Sequence, residues 1–345
     1  MLHAMAKQPS MLIRADASVA IGTGHVMRCL AVAQAWQDAG GEVILVASEL
    51  PDSIQGRLAA NNVSVLRIDA APGSADDARC LITHACQLKP NWIVVDGDRF
   101  GDDFLKSIHD SGSRVLLIDD YADRPKFPAD MIVNPNFGAE PEKYRSREFT
   151  APVLAGPRYA LLRREFQQPF QRQVRPRGDR ILVTLGGSDP ENLTLQIART
   201  LATCSELQVT IVAGSAYANK PQLTKELGTR VKLIFDSQEM HQLMMEADIA
   251  ITIAGGTLWE LLSLGCAVLS YARTAGGAYL VNCLAKQGMI VDMGEISHFD
   301  SAKIVPGVRQ IAESFSTRER MASQGQALVD GLGAKRVVEM LQQRD

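Results

Sequence analysis

The stretch MLIRADASVAIGTGHVMRCLAVAQAW, Met11 to Trp36, decides how the whole chain is read. A short apolar run, 11–15, predicts a strand. It ends in a turn bracketed by Gly22 and Gly24, and a helix is expected to begin at His25. Strand, glycine turn and helix form the opening unit of an α/β sheet, and the question is what the turn holds.

The same unit recurs outward from it. EVILVA (42–47), VSVLRI (63–68), NWIVVD (91–96), RVLLID (114–119) and DMIVN (130–134) read as further strands, most of them separated by ten or more residues of helical character. Near-continuous apolar strands alternating with helices indicate a parallel sheet covered on both faces. Pro135 to Tyr159 shows no clear element. The pattern restarts with RILVTL (180–185), QVTIVA (208–213), VKLIF (231–235), DIAITIA (248–254) and AVLSY (267–271). The fold class is therefore α/β, with two Rossmann-like doubly wound parallel-sheet domains expected to face a cleft. Their bounds are placed at 11–166 and 180–330, with a linker over 167–179. A terminal helix, 331–345, could pack on either domain.

Size and composition agree with this. At 345 residues the chain exceeds what one core usually serves. Its 46% hydrophobic and 22% charged residues are those of an ordinary globular protein. A net charge of −3 argues against nucleic acid as a partner. The basic stretch Arg163 to Arg180 reads as a solvated linker. No apolar run reaches the ~20 residues of a membrane span, so no stable membrane insertion is expected. The first ten residues lack a signal-peptide core and read as a disordered extension. Cys29, Cys80, Cys86, Cys204, Cys266 and Cys283 show no metal-ligand spacing. They are expected to be reduced and mostly buried, in a cytoplasmic monomer without metal or cofactor.

Ligands of such sheets bind beyond the carboxyl ends of the strands, and the motifs fall there. A dinucleotide fingerprint needs a small residue where Met27 stands, and the second strand ends Val46-Ala47-Ser48 without the acid that would hold a ribose. His25 instead lies in the first turn of a helix whose positive end disfavours imidazolium. A neutral imidazole suits a general base. Asp16, just past the first strand, is the candidate to orient it or to hold a substrate hydroxyl. A bland reading makes His25 a capping or packing residue. Asp96 and Asp98, then Asp119 with Asp120, form acidic strand ends that could bind sugar hydroxyls, assist His25 or cap helices. Asn134 and Asn136 follow the last strand and could contact a ligand amide or fix the turn.

In the second half Gly186, Gly187 and Ser188 open a helix, with Ser188 or Asp189 as its cap. Gly255, Gly256 and Thr257 do the same after DIAITIA, an arrangement suited to a diphosphate. Glu260, three residues after Thr257, could accept both hydroxyls of a ribose, or complete a capping box with Thr257. The nucleotide is expected on the C-terminal half and the chemistry on the N-terminal half.

At RADASVAIGTGHVMRCLAVA (14–33), IDDYADRP (118–125), GPRYALLRREF (156–166), GGSDPENLT (186–194) and AGGTLWE (254–260) the sequence resembles the PseG family. These are hydrolases of UDP-2,4-diacetamido-2,4,6-trideoxy-β-L-altropyranose in pseudaminic acid biosynthesis. They are related to MurG-like GT-B glycosyltransferases. The resemblance covers most of the chain and implies metal-free attack of water on the anomeric carbon of a UDP-sugar, with His25 as general base. It also implies sugar-side roles for Arg14, Gly22, Gly24, Arg28 and Tyr159. Three sites depart from the family pattern. Asp98 stands where a tyrosine is usual, Ala267 where a proline is, and Gly276-Gly277 where an Asn-Gln pair is expected. A transferase of the same architecture and a non-catalytic nucleotide-sugar-binding subunit are the competing readings. No strong membrane-docking patch is visible, which favours hydrolysis over transfer.

Overall fold

The computed structural model describes residues 8–18, 20–145, 150–167, 171–214 and 216–344. Residues 1–7 of the expected extension and 168–170 of the expected linker lie outside that range. Two compact units divide the chain. One holds residues 8–18, His25–Arg164 and 332–344, and the other holds residues 20–24 with Glu165–Gly331.

The first unit runs β1 (Ser10–Ala15), α1 (Gly24–Asp38), β2 (Glu42–Ala47), α2 (Asp52–Ala60), β3 (Ser64–Arg67), α3 (Ala75–Leu88), β4 (Trp92–Asp96), α4 (Asp102–Asp110), β5 (Val115–Ile118), β6 (Met131–Asn134) and β7 (Val153–Ala155). Its seven strands are parallel, in the order β3-β2-β1-β4-β5-β6-β7. The second unit runs β8 (Arg180–Thr184), α5 (Leu193–Leu201), β9 (Gln208–Ala213), α6 (Lys220–Leu227), β10 (Lys232–Phe235), α7 (Met240–Glu246), β11 (Ile249–Ile253), α8 (Gly256–Ser263), β12 (Ala267–Ala272), α9 (Ala275–Lys286), β13 (Val291–Glu295), α10 (Ile304–Ala312) and α11 (Phe315–Leu328). Its six strands are also parallel, in the order β10-β9-β8-β11-β12-β13. The chain ends in α12 (Gly333–Gln342), whose Ala334, Val337, Val338 and Leu341 join the core of the first unit.

Both sheets are covered on two faces, and strand alternation sorts the side chains between them. On β1, Met11, Ile13 and Ala15 face α1, α2 and α12, together with Trp92 and Val94 of β4, Leu116 and Ile118 of β5, and Met131 and Val133 of β6. Leu12, Ile93, Val95, Val115, Leu117 and Ile132 face α3 and α4. This two-sided burial is why the strands read as continuous apolar runs. In each sheet the strand order reverses once, between β1 and β4 and between β8 and β11. Those reversals open crevices at the carboxyl ends of the strands.

Two strands escape a reading by hydrophobicity. β7 has three residues amid prolines and glycines, and β13 is an edge strand with Asp292 and Glu295 exposed. The stretch expected to be a solvated linker also reads differently. Arg172 donates to the carbonyls of Ala247 and, at 3.1 Å, Leu264, while Arg175 pairs with Asp248 at 2.8 Å. Arg318 reaches back to the carbonyls of Arg175 and Pro176. A chain crossing so many unpaired strand-end and helix-end carbonyls needs donors, and the arginines supply them.

Candidate functional site

Parallel register puts Ala15 of β1 beside Asp96 of β4, so the reversal brings the carboxyl end of β4 next to α1. Asp96 continues the Trp92–Val94 side of β4 and therefore faces α1. There its Oδ1 lies 2.8 Å from Nδ1 of His25. Arg28, one turn further along α1, donates Nε to Oδ2 and Nη2 to Oδ1 of Asp96, both at 2.6 Å. By the same alternation Asp120, past the end of β5, faces α1, and both its oxygens accept from Nη1 of Arg28 at 2.8 Å. Asn136 completes the chain by donating Nδ2 to Oδ1 of Asp120 at 3.0 Å.

Asp96 is fully buried while His25 is 18% exposed, so the dyad has one dry member and one that meets solvent. Burial opposes the Asp96 charge, but Arg28 and then His25 outweigh it and hold the carboxyl well below the usual carboxylate range. The Asp96 charge in turn raises the pKa of His25 against its partial burial, Arg28 pulls the other way, and Asp98 adds to the rise. A carboxylate only accepts, so the neutral ring carries its proton on Nδ1 and leaves Nε2 as the basic nitrogen. Cys29 donates to Asp96 at 3.6 Å, and burial pushes its thiol pKa up.

The geometry corrects several expectations. The neutral His25 expected from the helix terminus is opposed by Asp96, a closer and full charge. Asp16 does not orient the imidazole. It falls on the α3 side of β1, where it pairs with Arg14 at 2.8 Å and accepts the N–H groups of Ser48 and Glu49. Arg14 does not reach a sugar either. It is fully buried, bonded to both oxygens of Asp77 and stacked 4.8 Å over Phe100. Asp119 and Asn134 take the same inner face. Asp119 accepts from Tyr144 at 2.8 Å and from the N–H of Ala122, and Asn134 donates to Tyr144 at 2.7 Å. They fix turns. Tyr159 packs partly buried against the first core under Arg158. Asp98 is exposed, and Gly22 and Gly24 leave open space where a side chain would stand. Gly22 has φ +75°, a conformation glycine alone takes easily.

Reading strand ends by nearness in sequence missed Asp120 as a partner of Arg28, and although it allowed the strand-end acids to assist His25, it did not single out Asp96 as the one that anchors the ring. The parity of the preceding apolar residues is the signal that finds both.

At the second reversal, Gly186 has φ +93° and leaves room at its Cα. Gly187 and Ser188 follow it, partly exposed. Neither Ser188 nor Asp189 is the N-cap residue of the next helix, which is Asn192, but the Asp189 carboxylate reaches across to accept from Leu193 and Thr194 at 3.1 and 2.7 Å. Beyond β11, Gly255 occupies the N-cap of α8 and no side chain caps it. Thr257 is therefore inside the helix, and the capping box with Glu260 does not form. A Cβ on Gly255 or Gly256 would meet nothing within 4 Å. By contrast Thr274 caps α9 through the N–H of Gly277. Of these two helix ends, α8 is the one that keeps its first N–H groups uncapped by a side chain.

Cys29, Cys204 and Cys266 are buried, Cys80 and Cys283 partly so, and Cys86 is exposed; all six are free thiols. Among the described residues no cluster of His, Cys, Asp and Glu could hold a metal ion, and no helix is long and apolar enough to cross a membrane.

No protein-family model matches the chain. It is 26% identical to an uncharacterised protein of Methanocaldococcus jannaschii over 266 residues, 74% of this chain and 54% of the relative. The chain thus spans about half the length of that relative. It is also 26% identical, over 81% of this chain and 98% of the relative, to the UDP-2,4-diacetamido-2,4,6-trideoxy-β-L-altropyranose hydrolase of Campylobacter jejuni. Among solved structures it resembles an S. aureus MnaA–UDP co-structure, with a TM-score of 0.69 at 14% identity, covering 98% of this chain and 96% of that one. Acinetobacter baumannii MurG aligns with a TM-score of 0.61 at 16% identity, over 97% of this chain and 99% of that one. The fold of the chain is that of the GT-B glycosyltransferases and their structural kin.

Proposed function

We propose that the protein is a nucleotide-sugar hydrolase. It would release UDP from a UDP-linked 2,4-diacetamido-2,4,6-trideoxyhexose by attack of water at the anomeric carbon, in pseudaminic or a related nonulosonic acid biosynthesis. The observation that carries the reading is the His25–Asp96 dyad at the strand-order reversal of the first unit. The hydrolase of C. jejuni, matched over 98% of its length, supports the substrate class.

In this reading Nε2 of His25 accepts a proton from water as the water oxygen bonds to the anomeric carbon. The bond from that carbon to the diphosphate oxygen breaks, and UDP departs with the bonding electrons. Asp96 offsets the positive charge that His25 gains, which is how a buried carboxylate assists a histidine base. The uncapped N-terminus of α8, at Gly255, Gly256 and Thr257, receives the charge developing on the diphosphate. Glu260 holds the ribose, and Gly186, Gly187 and Ser188 line the nucleotide. Gly22, Gly24, Arg28, Asp98 and Asn136 belong to the sugar side, with Arg28 and Asn136 acting through Asp96 and Asp120. The protein works as a cytoplasmic monomer without a cofactor.

A transferase is the second reading, favoured by the likeness to MurG. The same dyad then deprotonates an acceptor hydroxyl in place of water. Incubation with candidate UDP-sugars, followed by NMR for UDP and the free sugar, decides between them. Release of UDP without any acceptor is expected. UDP formed only when an acceptor alcohol is added makes the protein a transferase.

A further inference from the structure

An ion pair lies across the second strand-order reversal. Arg273 follows β12 and Glu191 follows β8, and these two strands flank β11 on either side. Nη2 of Arg273 lies 2.8 Å from Oε2 of Glu191, and Nε lies 3.2 Å from Oε1. The pair therefore spans the carboxyl end of β11, the point from which Ala254, Gly255 and Gly256 lead into α8.

Both side chains are more than one-third exposed, at 35% and 38%. An exposed pair of this kind holds weakly and exchanges partners readily. Its geometry is the two-pronged one that a guanidinium also offers to phosphate oxygens. Beside it stands a helix end with N–H groups that no side chain caps and a glycine pair with open space around it. Backbone dipoles orient a diphosphate but carry no full charge, which a cation from the end of the adjacent strand β12 would supply.

We propose that Arg273 is a diphosphate-binding residue that exchanges Glu191 for the phosphates of the ligand. Glu191 holds the guanidinium in place and competes with the ligand for it. The inference rests on the nucleotide reading of Gly255, Gly256 and Thr257, and it adds a residue that neither glycine motif contains.

Calorimetric titration of the full chain with UDP and with uridine tests it, using wild type, Arg273→Gln and Glu191→Gln, with thermal melts to verify folding. Arg273→Gln is expected to weaken UDP by about 10- to 100-fold, as loss of a charge-assisted phosphate contact does, and to leave uridine unchanged. Glu191→Gln is expected to tighten UDP about two- to fivefold, because the competitor is gone. Equal UDP affinity for Arg273→Gln and wild type overturns the assignment while leaving the nucleotide site standing. Equal weakening by both substitutions overturns it too, since the pair would then be scaffolding. Wild type that binds UDP no better than uridine removes the diphosphate site itself, and Arg273 with it.

Discussion

Nδ1 of His25 sits 2.8 Å from Oδ1 of Asp96, and Arg28 grips both oxygens of that same carboxylate. The histidine is thus oriented by a group that is itself buried and clamped. Asp96→Asn keeps the size and removes the charge. In that variant kcat for UDP-sugar hydrolysis is expected to fall by about 10²- to 10⁴-fold, the usual weight of an acid–base group and its partner, with KM little changed. Steady-state kinetics read the split. A rise in KM at constant kcat would place Asp96 in ground-state binding instead.

The same contact fixes a pH dependence. Asp96 raises the pKa of His25, so the folded value lies above the ~6.5 of a free imidazole. In the proposed role of base His25 works unprotonated, so the rate should climb with pH through that raised value. The rising limb should move toward acid in Asp96→Asn. Stability runs the opposite way. The folded state holds the His25 proton more tightly than the unfolded chain, so this stabilisation is full below ~6.5 and fades as pH rises through the folded pKa. Asp96, lowered in the fold, adds stability present above ~3.9 and lost as pH falls toward its depressed pKa. The gap in urea midpoint between wild type and His25→Asn should therefore narrow from about pH 6 to about pH 9. A gap that widens over that range contradicts the contact.

Much of the fold was legible because most strands are buried on both faces. Glu42–Ala47 and Gln208–Ala213 match their sequence readings residue for residue. Strands β7 and β13 were not, because one is three residues long and the other exposes its acids. His25 and its glycine turn were legible from local chemistry alone. Which of the strand-end acids assists it was not, since Asp96 joins His25 only through the β1–β4 register, 71 residues away. Arg14 and Asp16 misled because they are neighbours of His25 in the chain but lie on the opposite face of β1. Counting by twos from Ile13 and Ala15 separates them, and counting by twos from Val94 and Ile118 recovers Asp96 and Asp120.

Arg14 is accordingly a structural cation. Its Nε and Nη2 meet Oδ1 and Oδ2 of Asp77 at 2.9 and 2.8 Å, and Asp77 is fully buried. Arg14→Met leaves that carboxylate unpaired. The loss should be about 3–5 kcal/mol, measured by urea unfolding. Arg14→Lys should recover little of it, because one ammonium cannot supply the two-pronged contact. The folded fraction of Arg14→Met should bind UDP-sugar as wild type does, and a selective loss of binding would return Arg14 to the sugar side.

Gly256 separates ligand binding from folding. A methyl there meets no protein atom within 4 Å, and its backbone is ordinary α-helix at the first position of α8. Gly256→Ala should therefore melt within about 1 kcal/mol of wild type, on the favourable side given the helix preference of alanine. If α8 receives the phosphates as proposed, the open space at its end is space the ligand fills, and the added methyl should stand in its way. UDP affinity is expected to drop about tenfold, equivalent to about 1.4 kcal/mol, while the His25 titration followed by NMR stays where it was. Unchanged UDP affinity in a normally folded Gly256→Ala would move the diphosphate away from α8, toward the loop of Gly186 and Gly187, where the same titration on Gly187→Ala would find it.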